Sequence, residues 1–273
     1  MTMSSFNFQL PGYRIVEELY RDAKTIVYRA ECTDERLGEK SRSVMLRVLS
    51  SMYPSDRDLL EFRHQHTIAK NLTLPGIVRH HRLEEHERGH ILVLEDFGGI
   101  SLAGQIGLTV EDILEIGIQL ADTLHGLGQQ RIVHKDIKPA NILIHPVTKQ
   151  VKLIDLRIAA LLPRETQEIV NPNRVEGTLA YLSPQTGRMN RGIDYRTDFY
   201  ALGVTLYELL TGELPFTTED PIALIHCHLA QVATPIHLVN SDIPIALSQI
   251  VAKLMAKNVE DRYQTALGIK YDY

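Results

Sequence analysis

Four polar side chains stand at short intervals between Gln130 and Arg157, in a stretch that reads QRIVHKDIKPANILIHPVTKQVKLIDLR. Asp136 follows His134 and Lys135; Lys138 and Asn141 come next, and Asp155 ends the following apolar run. A carboxylate can take a proton from a hydroxyl, and an ammonium can neutralise an anion. Carboxylate and amide oxygens can hold a hard cation. Each residue also has an ordinary reading: Asp136 as a turn aspartate, Asn141 as a cap, Asp155 as an acid at a strand end. Their joint spacing around two short apolar runs joined by a hairpin signal favours chemistry over four coincidences.

The stretch resembles the catalytic and metal-binding loops of eukaryotic-like protein kinases. The pattern H-x-D-x-x-x-x-N is kept, and the D-F-G motif stands as Asp155-Leu156-Arg157. The resemblance implies catalytic roles for Asp136, Lys138 and Asn141. Asp136 would accept or orient the substrate hydroxyl proton, and Lys138 would neutralise charge on the transferred phosphoryl group. Asn141 and Asp155 would hold Mg²⁺, and ATP would be the phosphate donor. Lysine two residues after Asp136 is similar to Ser/Thr rather than Tyr kinases. The fold implied is α+β and bilobal: a small antiparallel N-lobe sheet with one main helix, then a larger, mostly helical C-lobe. Residues 1–11 read as an N-terminal extension and 12–273 as the domain, with the N-lobe over 12–95, a hinge over 95–99 and the C-lobe over 100–273.

The elements that must position these residues are legible around them. Tyr13 to Leu19 and Ile26 to Ala30, rich in Ile, Val and Tyr with polar residues between, read as two strands of a hairpin, and Ser43 to Leu49 as the next strand. Asp56 to Leu72 carries an amphipathic helical stripe. Ile91 to Leu94 reads as a buried strand. The charged stretch from Arg82 to His90 reads as a solvated loop, because His80, His81, His86 and His90 lack the spacing and supporting ligands of a metal site. Thr109 and Asp112 open a long apolar helix as a capping box. Further helices run to Leu210, from Pro221 to Ala230 and from Ile245 to Met255. His226-Cys227-His228 are adjacent on a helix and share no face, which argues against a metal.

By the same resemblance, Val27, Met45, Arg47, Leu94, Glu95, Phe97 and Leu143 would contact the nucleotide. Several positions depart from the family pattern. The glycine positions of the phosphate loop fall at Tyr20, Asp22 and Thr25, where side chains keep the backbone from approaching an anion closely. Arg47 stands for the usual lysine, and guanidinium and ammonium are not interchangeable. Gln65 stands for the glutamate that pairs with it, with Glu61 one turn earlier as a substitute if the helix rotates. Arg157 replaces glycine. Gln185 replaces the glutamate whose partner would be Arg262. Thr166 is the only hydroxyl in the activation-loop stretch 163–175, and Thr178 stands at the threonine of Ser/Thr kinases.

A net charge of −5 argues against general nucleic-acid binding, and no apolar run approaches a membrane span. The N-terminus lacks the basic and apolar pattern of a signal peptide. Cys32 and Cys227 read as free thiols of a reducing compartment, with a single disulfide as the alternative. A cytoplasmic location follows as the expectation. The run from Leu179 to Arg191, with Glu95 to Gly99, is similar more specifically to N-terminal kinase domains of large bacterial, cyanobacterial-type hybrid proteins. In those, an ATPase module, sensor domains and a histidine kinase follow. Two functions stay open: a Ser/Thr kinase acting on protein substrates with a degraded ATP clamp, or a pseudokinase serving a regulatory protein partner.

Overall fold

The computed structural model describes residues 10–33, 42–51, 53–86, 89–105, 108–162, 177–187 and 193–273. The activation-loop stretch 163–175 with Thr166, most of the N-terminal extension and residues 188–191 lie outside them. The chain divides into two compact units. One comprises residues 1–73 and 78–98, the other 74–77 and 99–273.

The first unit is built on an antiparallel sheet. Its strands are β1 (Tyr13–Arg21), β2 (Thr25–Cys32), β3 (Arg42–Leu49), β4 (His80–His86) and β5 (Gly89–Glu95), in the order β1-β2-β3-β5-β4. Strand alternation sorts the side chains. Ile26, Tyr28, Ala30, Cys32, Val44, Leu46, Val48, Ile91 and Val93 form one apolar cluster with Leu10 and Tyr13. The register Val27↔Arg47↔Leu92 and Met45↔Leu94 places Val27, Met45, Arg47 and Leu94 on the opposite face. Helix α1 (Asp56–Ala69) starts at a Ser55–Asp58 capping box and buries Phe62, Gln65, Ile68 and Ala69.

The stretch expected as a solvated loop is strand β4 up to His86. It lies at the edge of the sheet, where charged side chains are tolerated and discourage pairing with other chains. Its charges also have partners. The Tyr13 hydroxyl donates to Glu84 at 2.7 Å and accepts from Arg82 Nη2 at 2.6 Å. His80 and His90 are buried, and His90 Nε2 accepts from Arg63 at 2.7 Å.

The second unit is mostly helical. A short sheet of β6 (Ile100–Ser101), β8 (Ile142–Ile144) and β9 (Val151–Leu153) lies near a two-stranded pair, β7 (Ile132–Val133) with β10 (Ala160–Leu161). Helix α2 (Val110–Gln129) begins at the Thr109–Asp112 capping box and buries Ile113, Ile116, Leu120, Leu124 and Leu127 at helical spacing. After α3 (Pro184–Gly187) comes α4 (Arg196–Thr211), buried on nearly every side. It is ended by Gly212 at φ 78°, a left-handed position that glycine takes without strain. Helices α5 (Pro221–Ala230), α6 (Ile236–Val239), α7 (Ile245–Leu254) and α8 (Ala266–Asp272) complete the unit. Residues 74–77 belong here: Gly76 carbonyl accepts from Leu153 N at 2.8 Å, and Ile77 bridges to Leu153.

Among the described residues no disulfide forms; Cys32 is buried in β2 and Cys227 half-buried in α5. No described helix is long and apolar enough to cross a membrane.

Candidate active site

The loop after β7 is held from below by one carboxylate. Asp198, in the first turn of α4, accepts the backbone N–H of His134 at 2.7 Å and of Lys135 at 2.8 Å. Burial pushes the Asp198 carboxyl up, against the pull of these two donors. Lys135 takes a left-handed φ of 67°, which lets the chain turn sharply before Asp136. His134 closes the turn internally. Its Nδ1 faces the Asp136 N–H at 3.3 Å and its Nε2 lies 3.0 Å from the Ile154 carbonyl, joining the loop to the residue before Asp155.

Above this support the expected catalytic residues converge. Asp136 Oδ2 accepts from Asn141 Nδ2 at 2.8 Å and from Lys138 Nζ at 2.8 Å. Asp136 Oδ1 accepts from the Thr178 hydroxyl at 2.8 Å and the Thr178 N–H at 3.2 Å. Asn141 Nδ2 also donates to the Asp136 carbonyl, so the orientation of its amide is fixed. The spacing of the sequence motif thus appears as a bonded cluster of Asp136, Lys138, Asn141 and Thr178. Leu143 lies just beyond it on β8, buried.

Asp155 is also buried, at a left-handed φ of 68°. Its oxygens and the Asn141 Oδ1 are hard donors of the kind Mg²⁺ prefers, so the residue types fit a divalent metal. The two carboxylate oxygens are already engaged, however. Arg157 Nε lies 2.8 Å from both, and Arg157 Nη2 lies 2.7 Å from Oδ2. Nothing in the spacing announced this fork, because a residue two positions away in a loop can point anywhere.

The residues of the first unit expected to contact nucleotide lie on β2, β3 and β5 or just after it. Arg47 Nη1 donates to Gln65 Oε1 at 3.3 Å, with both residues buried and the Arg47 guanidinium 5.9 Å from the Phe62 ring centre. Counting along the sequence therefore located Arg47's partner correctly. Glu61 is not the substitute: it faces Arg57 at 3.0 Å and Lys24 at 3.8 Å on the outside of α1. Met45 and Leu94 pair across β3 and β5, and both are buried. After β5, Glu95 bonds Arg79 through N–H to carbonyl at 2.9 Å, and Phe97 is half-buried. Between them Asp96 accepts from Ser43 Oγ at 2.6 Å, Arg29 Nε at 2.7 Å and Gly98 N at 3.1 Å. Burial opposes its charge, yet these donors hold its carboxyl below the usual range.

The tip of the β1–β2 hairpin is closed on itself. Asp22 Oδ1 accepts the N–H of Lys24 at 2.8 Å and of Thr25 at 2.6 Å. An anionic side chain thus sits on the backbone donors that a phosphate-binding loop would present.

Gln185 and Arg262 meet as expected, with Arg262 Nη1 donating to Gln185 Oε1 at 2.7 Å. His228 is buried in α5 beside the Tyr200 hydroxyl at 3.0 Å, and among the described residues no group of three His, Cys, Asp or Glu could hold a metal.

Residues 39–273 match the protein kinase domain family. The chain is similar to a probable serine/threonine-protein kinase of Clostridium perfringens, at 31% identity over 94% of this chain and 37% of that protein. It is similar also to the serine/threonine-protein kinase PknB of Mycobacterium tuberculosis, at 33% identity over 85% of this chain and 38% of that protein. A probable PknB of Lactococcus lactis is 30% identical over 92% of this chain and 40% of its own length. The chain thus spans well under half the length of these relatives. With the match covering most of its residues, the chain belongs to the protein kinase domain family.

Proposed function

We propose that this chain is a Ser/Thr protein kinase domain of reduced activity, taking ATP and a divalent metal, Mg²⁺, and phosphorylating hydroxyls of protein substrates. The observation that carries the reading is the Asp136 carboxylate, fixed at 2.8 Å by Asn141, Lys138 and the Thr178 hydroxyl. A carboxylate oriented in this way can receive the proton of an incoming hydroxyl. Lys138 carries positive charge next to it, where anionic charge moves during transfer. Asn141 Oδ1 and Asp155 are the oxygen ligands for the metal, which when bound neutralises the phosphates. Val27, Met45, Arg47, Leu94, Glu95, Phe97 and Leu143 are the nucleotide contacts.

Reduced activity rests on the clamp. Gln65, a neutral amide, stands 3.3 Å from Arg47 where the family pattern has a glutamate. Asp22 occupies the hairpin-tip donors. Phosphoryl transfer depends mostly on positioning and charge, so loosening the hold on the phosphates slows it. A second reading, a pseudokinase acting through a protein partner, is favoured specifically by the Arg157 fork on Asp155. The domain would occupy residues 12–273, with lobes at 12–95 and 100–273 about a hinge at 95–99. It would work in the cytoplasm as one module of a longer hybrid signalling protein.

The test is radiolabel transfer from Mg-ATP to a generic protein substrate, beside thermal stability with and without Mg-ATP. Transfer that falls by about 10²–10⁴-fold in Asp136→Asn is the expected result. No transfer together with a Mg-ATP stability shift favours the pseudokinase. Neither transfer nor a shift at millimolar nucleotide refutes the ATP assignment.

A further inference from the structure

The contact between Arg157 and Asp155 is unusually complete for a residue two positions from its partner. Nε bridges both carboxylate oxygens at 2.8 Å, and Nη2 adds a bond to Oδ2 at 2.7 Å. The Arg157 backbone N–H approaches Oδ1 at 3.3 Å. The carboxylate is only 7% exposed and the guanidinium 25%, so the pair is largely sheltered from the water that weakens surface ion pairs. A second cation reaching Asp155 has to displace a donor that is covalently tethered beside it. The neighbouring oxygen ligand, Asn141 Oδ1, is neutral, and its amide nitrogen is committed to Asp136. A neutral amide oxygen without the full carboxylate is a poor site for Mg²⁺, which favours charged oxygens and surrenders its water reluctantly.

Guanidinium and divalent metal share one property that matters here: both bring positive charge against carboxylate and phosphate oxygens. Arginine also presents a planar fork that matches either anion. From this geometry, and resting on the nucleotide reading above, we propose that Arg157 is a built-in cation at Asp155. It supplies part of the charge a divalent metal would bring there, so nucleotide binding by this chain depends little on divalent metal, while phosphoryl transfer as read above still uses it. Arg157 is in this account a specificity-determining residue for metal use.

The test measures ATP affinity by calorimetric titration of the whole chain, in millimolar Mg²⁺ and in EDTA. It compares the parent with Arg157→Ala and Arg157→Gly, and with Arg157→Lys, which keeps the charge without the fork. Thermal melting of each variant checks that it is folded. In the parent, Mg²⁺ should change the ATP dissociation constant by less than about threefold. In the Ala and Gly variants it should tighten binding by at least about tenfold, the size of one charge-assisted contact, as Asp155 becomes available. Arg157→Lys should fall between. Equal metal dependence in parent and variants, whether strong or weak, overturns the proposal alone. Absence of ATP binding in every arm overturns the nucleotide reading and this one with it.

Discussion

Replacing Gln185 by glutamate is expected to stabilise the second unit. Arg262 is 2% exposed, and among the described residues its guanidinium hydrogen-bonds to neutral oxygens. These are the carbonyls of Ala256 at 2.6 Å, Arg196 at 3.0 Å and Lys257 at 3.3 Å, and Gln185 Oε1 at 2.7 Å. Burial, which removes its charge from water, pushes its pKa down to about 10. Gln185 Nε2 is buried and finds no hydrogen-bond acceptor among the described residues. In Gln185→Glu the orphaned donor disappears, which recovers about 1–3 kcal/mol. The 2.7 Å bond becomes ionic at both ends, worth roughly another 1 kcal/mol over a neutral–charged bond. Burying a new carboxylate costs several kcal/mol, and pairing with the uncompensated Arg262 charge offsets this by about 3–5 kcal/mol, which leaves roughly the lower end of the first two gains. A net gain of about 2 kcal/mol corresponds to a Tm rise of roughly 4–8 °C in a chain of this size. Thermal denaturation followed by circular dichroism measures it. Beside Arg262 the introduced carboxyl titrates below its unfolded value. The gain is therefore full at pH 7 and disappears as pH falls through the lowered folded pKa. An unchanged or lower Tm at pH 7, or a gain that persists at pH 3, refutes the reasoning.

Arg47→Lys with Gln65→Glu restores a charged pair where Arg47 now meets an amide at 3.3 Å; ATP affinity should rise by about tenfold, read by titration, together with transfer rate. His228 is held near pKa 4, mainly by burial and then by nearby Lys257, against 6.5 for an ordinary histidine. The folded state therefore resists protonation, and stability falls as pH drops from 6.5 toward 4, by up to about 3 kcal/mol; His228→Gln should flatten that slope in pH-dependent denaturation. Gly76→Ala puts a Cβ 1.8 Å from Thr123 Oγ1, which is itself held on the Gln119 carbonyl at 2.8 Å. It should lower stability by about 2–3 kcal/mol, and Thr123→Ala in the same chain should return part of the loss.

The elements carrying the site were legible because their signals are local. Ile, Val and Tyr with polar residues between marked β2, a run of apolar residues marked β3, the Thr109–Asp112 box marked the start of α2, and the spacing of the motif marked the Asp136–Asn141 cluster. Counting along an amphipathic helix located Gln65 against Arg47, since a residue on the buried face of α1 has few neighbours to choose from. Strand β4 escaped notice because its burial depends on partners far along the chain: Glu84 and Arg82 are accommodated by Tyr13, 71 and 69 residues away. The two contacts on which the proposed reduction in activity leans were hidden for a different reason. Asp22 on its own turn and Arg157 on Asp155 are rotamer choices in loops, and no periodicity records where a loop side chain points.

The carboxylate of Asp198 has a consequence for the dynamics of the loop it holds. Its two bonds tie the amides of His134 and Lys135 to the first turn of α4, across 64 and 63 residues of sequence. These two bonds are expected to couple opening of the loop to displacement of α4. In hydrogen exchange those two amides belong with the slowest class of the second unit, alongside the core of α4, although they sit in a loop. On that expectation, the segment that carries Asp136 would be a loop in name and part of the unit's most protected cooperative block in behaviour.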